Sequence, residues 1–202
     1  MSKGNGNVTK PLEKPLRRAI ALLEKHDYRY AVIGGIAVQY WGLVRLTVDV
    51  DVKVLVPQTD YATARSRIRA VFPQRGRPQI PPDPLVVDTN IGGVVVDFLL
   101  AAPGYEENII TRAVRKKFGA MMVWLCTAED LIIQKVIAGR GKDWQDIEGV
   151  LGLQMSRLDF DYIENWLKDF ADILAEPEIF EKYIETRDSV RKILAKKKSG
   201  RV

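Results

Sequence analysis

The sequence predicts an α+β fold, with a small mixed β-sheet flanked by helices and a helical C-terminal portion. Two observations lead to this class. As far as residue 125, short apolar segments of strand length alternate with helical segments and glycine-containing turns. From Thr127 onward, each segment repeats its apolar residues at helical spacing. A chain of 202 residues can bury one sizeable core together with a helical appendage.

The elements of the first part follow from apolar spacing and from the Gly and Pro residues that bound each segment. They are helix 11–26, strand 29–33, helix 35–41, strand 47–56, helix 58–71, strands 85–89 and 94–101, helix 105–117 and strand 121–125. The stretch 73–84 holds too many prolines for regular structure and is predicted to be a surface loop. Asn90-Ile91-Gly92-Gly93 gives a hairpin signal between the two strands that flank it.

The second part is predicted to consist of helices, some of which begin at a recognisable capping residue. Thr127 with Asp130 resembles a capping arrangement, and Asp159 or Asp161 would open a later helix. The predicted helices are 127–138, 143–152, 159–174 and 176–197. The predicted organisation is therefore a flexible leader (1–10), a core (11–125), a helical portion packed on that core (126–197) and a basic tail (198–202).

The net charge of +5 comes from the two ends of the chain. Residues 1–30 hold seven Lys or Arg against three acidic residues, 191–202 hold six against none, and the middle holds 18 against 23. Overall basicity is therefore weak support for a basic groove in the body. Two internal clusters are better candidates for contact with a polyanion. They are Arg65, Arg67, Arg69, Arg75 and Arg77, and Arg112, Arg115, Lys116 and Lys117.

The sequence also indicates a compartment. No apolar run approaches the roughly 20 residues of a membrane span, and the N-terminal residues lack the apolar core of a signal peptide. The single cysteine, Cys126, excludes an internal disulfide and suits a reducing environment. We therefore expect a cytoplasmic protein without a membrane partner.

Two aspartates on one predicted strand carry the strongest chemical signal. Asp49 and Asp51 are one residue apart, so an extended strand turns both side chains to the same face. Like charges side by side repel, and a divalent cation such as Mg²⁺ resolves that repulsion. Asp97 lies alone in an apolar strand and also requires a partner or a metal. An Asp-x-Asp pair is common by chance, so the pair alone is weak support for a metal site.

The order of the parts strengthens the case for nucleotide chemistry. A strand, Gly34-Gly35 and a short helix precede the Asp pair, and Gly35 would let phosphate oxygens approach a helix N-terminus. Asp49 and Asp51 would hold one or two Mg²⁺ ions. Asp97 would complete the second metal site and accept the proton of an acceptor hydroxyl. The reaction would then be an in-line displacement at the α-phosphorus of a nucleotide.

Segment 31–52 resembles the core motif of the nucleotidyltransferase superfamily of the polymerase-beta fold. The closest likeness is to minimal nucleotidyltransferases and abortive-infection nucleotidyltransferase toxins. Their pattern is an apolar strand, Gly-Gly or Gly-Ser, and then Arg-x-Thr/Ser-x-Asp-x-Asp. The matching residues are Gly34, Gly35, Arg45, Thr47, Asp49 and Asp51. Gly35 stands where many catalytic relatives carry serine, so a side-chain hydroxyl contact to phosphate is absent there.

A later segment resembles the downstream helix of the same superfamily. It runs from Glu129 through Lys135 and Arg140 to Asp143 and Asp146, and the resemblance implies that the lysine contacts the triphosphate. In the alternative interpretation, Lys135 and Arg140 are simply solvated, Asp143 is a helix N-cap and Asp146 lies in the first turn. The predicted nucleotide-binding set is Gly34, Gly35, Arg45, Thr47, Lys135, Arg140 and Asp146.

The resemblance implies a nucleotidyltransferase core that uses Mg²⁺ or Mn²⁺. It would move a nucleoside monophosphate from a triphosphate such as ATP or GTP to a hydroxyl of tRNA or of a protein. A toxin role with an antitoxin partner is also implied. One alternative is a catalytically silent nucleotide-binding or scaffold protein of the same fold, and another is a nucleic-acid-binding protein that uses its basic tails. The last alternative leaves the Asp pair unexplained.

Overall fold

The structure is a computed structural model that describes residues 10–74 and 83–199. Helices and strands alternate in its first part, and helices follow. The helices are α1 (Lys10–Lys25), α2 (Gly34–Trp41), α3 (Tyr61–Val71), α4 (Tyr105–Thr111), α5 (Ala128–Ala138), α6 (Gly141–Gln154), α7 (Phe160–Leu174) and α8 (Pro177–Ser199). The strands are β1 (Arg29–Val32), β2 (Asp49–Leu55), β3 (Val86–Ile91), β4 (Val94–Leu100), β5 (Val114–Phe118) and β6 (Met121–Leu125). The predicted α+β class is confirmed.

The strands form one mixed sheet in the order β3-β4-β2-β1-β6-β5. β2 pairs in parallel with β4 and antiparallel with β1, while β1 pairs in parallel with β6. The predicted hairpin is present: Ile91 pairs with Val94 around Gly92 and Gly93, whose φ angles are 64° and 87°. Two consecutive positive φ angles suit a tight two-residue hairpin turn. This turn fixes the register of β3 against β4.

Strand alternation separates an apolar face of the sheet from a polar one. Val50, Val52 and Val54 of β2 are fully buried, as is Phe98 of β4. Phe98 stacks on Phe72, which follows α3, with ring centroids 6.1 Å apart. The opposite face of β2 carries Asp49, Asp51 and Lys53, and the Lys53 ammonium pairs with Glu106 of α4. The candidate site therefore lies on the polar face of the central strands.

The predicted helix 105–117 is wrong in its second half. The helix ends at Thr111, and Val114–Phe118 form a strand antiparallel to Met121–Leu125. The two strands are joined at Gly119, which adopts a φ of +57°. Val114, Lys116 and Phe118 face the same side, which is a strand period rather than a helical one. The charged residues between them masked this alternation in the sequence.

Helix starts in the second part follow the predicted capping chemistry. The Thr127 side chain accepts a hydrogen bond from the Asp130 amide at 3.1 Å, and the Asp159 side chain accepts one from the Tyr162 amide at 3.0 Å. Asp159, rather than Asp161, is the cap of α7. Both contacts satisfy amides that the first helical turn leaves without an intrahelical acceptor.

The chain divides into two compact units. The first unit comprises residues up to Ile36 and Leu46–Cys126, and it contains the sheet. The second comprises Ala37–Arg45 and the residues from Thr127 onward, and it contains α5 to α8. None of the helices in the described part of the chain is both long and apolar enough to cross a membrane. Most of the predicted leader, most of the proline-rich loop with Arg75 and Arg77, and the end of the basic tail lie outside the described residues.

Candidate functional site

Strand pairing brings the predicted carboxylates of the first unit to one place. Asp51 of β2 is in direct register with Asp97 of the parallel strand β4. Neighbouring strands are about 4.8 Å apart, and directly paired residues project to the same face. Asp49 projects to that face one strand repeat earlier, and all three residues are half-buried. The backbone therefore places the three carboxylates side by side.

Gly34 lies so close to the Asp51 side chain that a residue with a Cβ atom would not fit at position 34. Its φ is +61°, and a Cβ atom at this position would lie 1.8 Å from Asp51 Oδ2. Only glycine adopts that backbone conformation without strain and also permits so close an approach. The amide of the preceding residue, Ile33, donates to the Asp51 carbonyl at 3.0 Å. The glycine therefore fixes the start of α2 beside one of the predicted catalytic carboxylates.

Gly35 has a different neighbour, the buried side chain of Thr47. A Cβ atom on Gly35 would lie 2.2 Å from Thr47 Oγ1 and 2.8 Å from Thr47 Cβ. The Thr47 hydroxyl donates to Asp49 Oδ1 at 2.8 Å. Thr47 therefore occupies the space that a serine side chain at position 35 would need, which explains why glycine stands there.

Gly35→Ser is expected to destabilise the protein by about 1–3 kcal/mol, because the new side chain overpacks against Thr47. Urea unfolding of Gly35→Ser, Thr47→Ala and the double variant checks this. Since the clash involves both residues, the double variant should be more stable than the sum of the single effects allows. Strictly additive losses would contradict the explanation.

Asp88 also lies on this face of the sheet, and it is not among the predicted site residues. It lies on β3 in direct register with Asp97, and it is only 8% exposed. The signal was present in the sequence, because pairing outward from the Gly92-Gly93 turn places Asp88 opposite Asp97. The neighbouring Thr89 faces the other way and donates to the Val96 carbonyl at 2.8 Å.

The donor chemistry of this face fits a divalent cation. Carboxylates are the side chains that bind Mg²⁺ and Mn²⁺, and three of them share one face and adjacent strand positions. Within residues 10–74 and 83–199, no three His, Cys, Asp or Glu side chains are arranged as a ready ligand set. Ion binding would therefore require these carboxylates to converge from the positions described here.

The second unit holds a network of buried ion pairs built around Lys135. Its ammonium lies 2.6 Å from Asp143 Oδ1 and 2.9 Å from Asp146 Oδ2. Arg140 Nε pairs with the other oxygen of Asp143 at 2.6 Å. Arg45 holds Asp146 with two hydrogen bonds of 2.8 and 3.0 Å. Three cations thus surround two carboxylates.

Burial opposes ionisation of Asp143 and Asp146, but their cationic partners outweigh it. Hydrogen bonds from Arg140 and Lys135 hold the pKa of Asp143 below its ordinary value. Hydrogen bonds from Arg45 and Lys135 do the same for the pKa of Asp146. Both groups are therefore ionised at neutral pH, and their pairing stabilises the folded chain.

This pairing predicts a loss of stability in acid. A carboxyl whose pKa is lowered by folding contributes its full stabilisation above its unfolded pKa of about 3.9, and loses it as the pH falls towards the folded value. The free energy of unfolding should therefore decline below about pH 5, and more steeply in the wild type than in Asp143→Asn. Urea unfolding from pH 7 to pH 2.5 measures both slopes. Parallel curves for the two proteins would contradict the assigned pairing.

The alternative interpretations of the downstream segment are resolved in part. Lys135 is 7% exposed, so the solvated interpretation is wrong for it, whereas the Arg140 side chain is 62% exposed. Asp143 is not the N-cap of α6. Arg140 takes that position. Asp143 lies fully buried in the first turn, where its carboxylate pairs with Lys135 and Arg140. Asp146 lies beyond the first turn of α6.

The predicted site residues are thus distributed over both compact units. Those in the first unit lie at the start of α2, at or just before the start of β2, and on β4: Gly34, Gly35, Thr47, Asp49, Asp51 and Asp97. Those in the second unit form the ion-pair network: Arg45, Lys135, Arg140 and Asp146. Their predicted roles in nucleotide binding and catalysis stay predictions.

Comparison with known structures gives the same fold. The antibiotic-resistance factor ANT(2'')-Ia superposes with a TM-score of 0.55 at 14% identity, over 87% of this chain and 99% of that chain. An antigenic nucleotidyltransferase-like protein from Paracoccidioides brasiliensis gives a TM-score of 0.51 at 16% identity, over 90% of this chain and 94% of that chain. At these identities the likeness shows the fold alone. No curated protein sequence matches the chain.

Comparison with protein families is more specific. Residues 14–193 match the sequence model of DUF6036, a family described as nucleotidyltransferases of unknown function. The match spans the sheet, the Gly-Gly turn, the carboxylates and the ion-pair network of the second unit. The resemblance to the nucleotidyltransferase superfamily is therefore confirmed, and the chain belongs to the DUF6036 family of nucleotidyltransferases.

Proposed function

We propose that this protein transfers a nucleoside monophosphate from a nucleoside triphosphate to a hydroxyl acceptor. The observation that supports this most is the register of Asp51 with Asp97, with Asp49 on the same face. Gly34 and Gly35 lie beside this group at the start of α2. A carboxylate group next to a helix N-terminus suits a substrate that carries both phosphates and a divalent cation.

Each residue of this group has a distinct task in the proposal. Asp49 and Asp51 would hold the cofactor, Mg²⁺ or Mn²⁺, and Asp97 would complete the site of a second ion. Thr47 orients Asp49 through its hydrogen bond. The bound cation neutralises phosphate charge. The backbone amides at Gly34 and Gly35 face the phosphates, because the first amides of a helix lack intrahelical acceptors.

Asp97 accepts the proton of the acceptor hydroxyl in this proposal. The hydroxyl oxygen forms a bond to the α-phosphorus, and the bond from that phosphorus to the bridging oxygen of the β-phosphate breaks. Pyrophosphate leaves with the bonding electrons, and the nucleoside monophosphate stays on the acceptor. A carboxylate on the strand next to the metal-binding pair is suitably placed for this proton transfer.

In the second unit, Arg45, Lys135, Arg140 and Asp146 are proposed to contribute to nucleotide binding. Lys135 is already held by two carboxylates, so it acts mainly by fixing the positions of Asp143 and Asp146. The more exposed guanidinium groups of Arg45 and Arg140 are the better candidates for contact with phosphate oxygens.

For the acceptor, we propose a hydroxyl of tRNA or of a protein, with a toxin role and an antitoxin partner in the cytoplasm. This part follows from the resemblance to abortive-infection nucleotidyltransferase toxins. Basic residues of the described part that suit an RNA backbone are Arg65, Arg67, Arg69, Arg112, Arg115, Lys116 and Lys117. If the acceptor is RNA, binding should weaken steeply as salt is raised.

A labelling experiment tests the proposed activity. The protein is incubated with each of the four α-³²P-labelled ribonucleoside triphosphates, Mg²⁺ or Mn²⁺, and either total RNA or RNA-free lysate. With wild type, the label should enter either the RNA or the lysate protein. Asp83→Asn should label the same fraction, because Asp83 is exposed and remote in sequence from the motif. Asp49→Asn should label neither fraction. Labelling that survives Asp49→Asn would place the activity elsewhere.

A catalytically silent nucleotide-binding or scaffold protein is the second candidate. Gly35 favours it, because the side-chain hydroxyl carried by many catalytic relatives is absent and Thr47 fills its space. Calorimetry distinguishes the two functions. Nucleotide binding that is lost in Asp51→Asn, without transfer to any acceptor fraction, would favour the silent protein.

A further inference from the structure

Asp88 is a buried carboxylate, one oxygen of which has no hydrogen-bond donor in the described part of the chain. The residue is 8% exposed, and its Oδ2 atom is fully buried without a hydrogen-bond donor among the described residues. Burying an ionised carboxylate in this way costs several kcal/mol unless a cation or a donor compensates it. A cation bound to the chain at this position would supply that compensation.

The register of three strands places Asp88 next to the candidate catalytic group. Asp88 of β3 pairs with Asp97 of β4, and Asp97 pairs with Asp51 of β2. Directly paired residues share a face, so the three carboxylates form one row across adjacent strands. We call these three aspartates, together with Asp49 on the same face of β2, the carboxylate row.

The strands that carry the row offer it little positive charge. The sequences of β2, β3 and β4 contain one cationic residue, Lys53, and its ammonium pairs with Glu106 of α4. Asp88 therefore adds negative charge where carboxylates are already concentrated. A divalent cation satisfies such a group, since it attracts several carboxylates at once.

We propose that Asp88 is a fourth carboxylate of the divalent-cation site formed by Asp49, Asp51 and Asp97. The proposal rests on the proposed function, because it assigns Asp88 to the cation site of that reaction. In this role Asp88 strengthens cation binding from the β3 side of the row.

Cation binding without nucleotide tests this assignment. Mn²⁺ is titrated into the full chain, and the free ion is followed by electron paramagnetic resonance, for wild type, Asp88→Asn and Asp83→Asn. Mn²⁺ binding should weaken in Asp88→Asn by at least the roughly 10–100-fold that loss of an outer-shell partner causes. Asp83→Asn makes the same chemical change at an exposed position that is only five residues away, and it should bind Mn²⁺ as wild type does.

Thermal unfolding in EDTA separates this role from a structural one. If Asp88 serves the cation, Asp88→Asn removes an uncompensated charge and should raise the Tm of the metal-free protein by about 2–4 °C. Addition of Mg²⁺ should then raise its Tm less than that of wild type. A fall of the metal-free Tm, or an unchanged Mn²⁺ titration, would overturn the proposal.

An Asp51→Asn arm distinguishes failure of this inference from failure of the proposed function. If wild type binds Mn²⁺ and Asp51→Asn does not, while Asp88→Asn binds as wild type does, only the assignment of Asp88 is wrong. If wild type and Asp51→Asn give the same titration, the cation site of the proposed function is wrong as well.

Discussion

Lys135→Met is expected to lower the free energy of unfolding by about 3–5 kcal/mol, the typical cost of removing one partner from a buried ion pair. The Lys135 ammonium lies between Asp143 and Asp146, whose side chains are 0% and 5% exposed. Without it, each carboxylate keeps one cationic partner among the described residues, Arg140 for Asp143 and Arg45 for Asp146. Methionine preserves the length and the apolar stem of the side chain, so the loss reports the charge.

Urea unfolding at pH 7 measures this effect. Lys142→Met is the matched control, because it makes the same chemical change at an exposed lysine of α6, the helix that carries Asp143 and Asp146. Its free energy of unfolding should stay within about 0.5 kcal/mol of wild type. If Lys135→Met were as stable as Lys142→Met, the network around Lys135 would contribute little to the free energy of unfolding.

Asp97→Asn is expected to lower kcat of nucleotide transfer by about 10²–10⁴-fold, the range typical of a lost general base. Asparagine keeps the shape of the side chain but accepts no proton, and Asp97 lies in register with Asp51. Affinity for the nucleotide should change less than kcat, because the amides at Gly34 and Gly35 are untouched.

Single-turnover kinetics and calorimetry separate the two effects, with Asp83→Asn as the control. A variant that binds nucleotide and transfers it at the wild-type rate would remove Asp97 from the proposed chemistry. A variant that no longer binds nucleotide would assign Asp97 to binding instead.

Local sequence signals were sufficient for most elements of the fold. Gly92-Gly93 predicted the β3–β4 hairpin, and Thr127 and Asp159 predicted helix starts. Such signals can be read locally because turn and capping preferences depend on a few neighbouring residues. The strand Val114–Phe118 was missed because its stability comes from pairing with Met121–Leu125. Pairing of this kind overrides local propensity.

The candidate site shows the same division. Asp49, Asp51 and Asp97 stand out locally as charges in apolar strands, and the structure places them on one face. The contacts of Thr47 with Gly35 and of Lys135 with two aspartates depend on packing between segments. No spacing rule along one segment reveals such contacts. Asp88 could be assigned to the site only from the register of the β3–β4 hairpin.

The transfer of label from the α-phosphorus or from the γ-phosphorus of one triphosphate tests the central claim most directly. We expect that α-³²P enters the acceptor, that γ-³²P is released as pyrophosphate, and that Asp51→Asn abolishes both events. Transfer of γ-³²P to the acceptor, or α-labelling that persists in Asp51→Asn, would contradict nucleotidyl transfer at the carboxylates of β2 and β4.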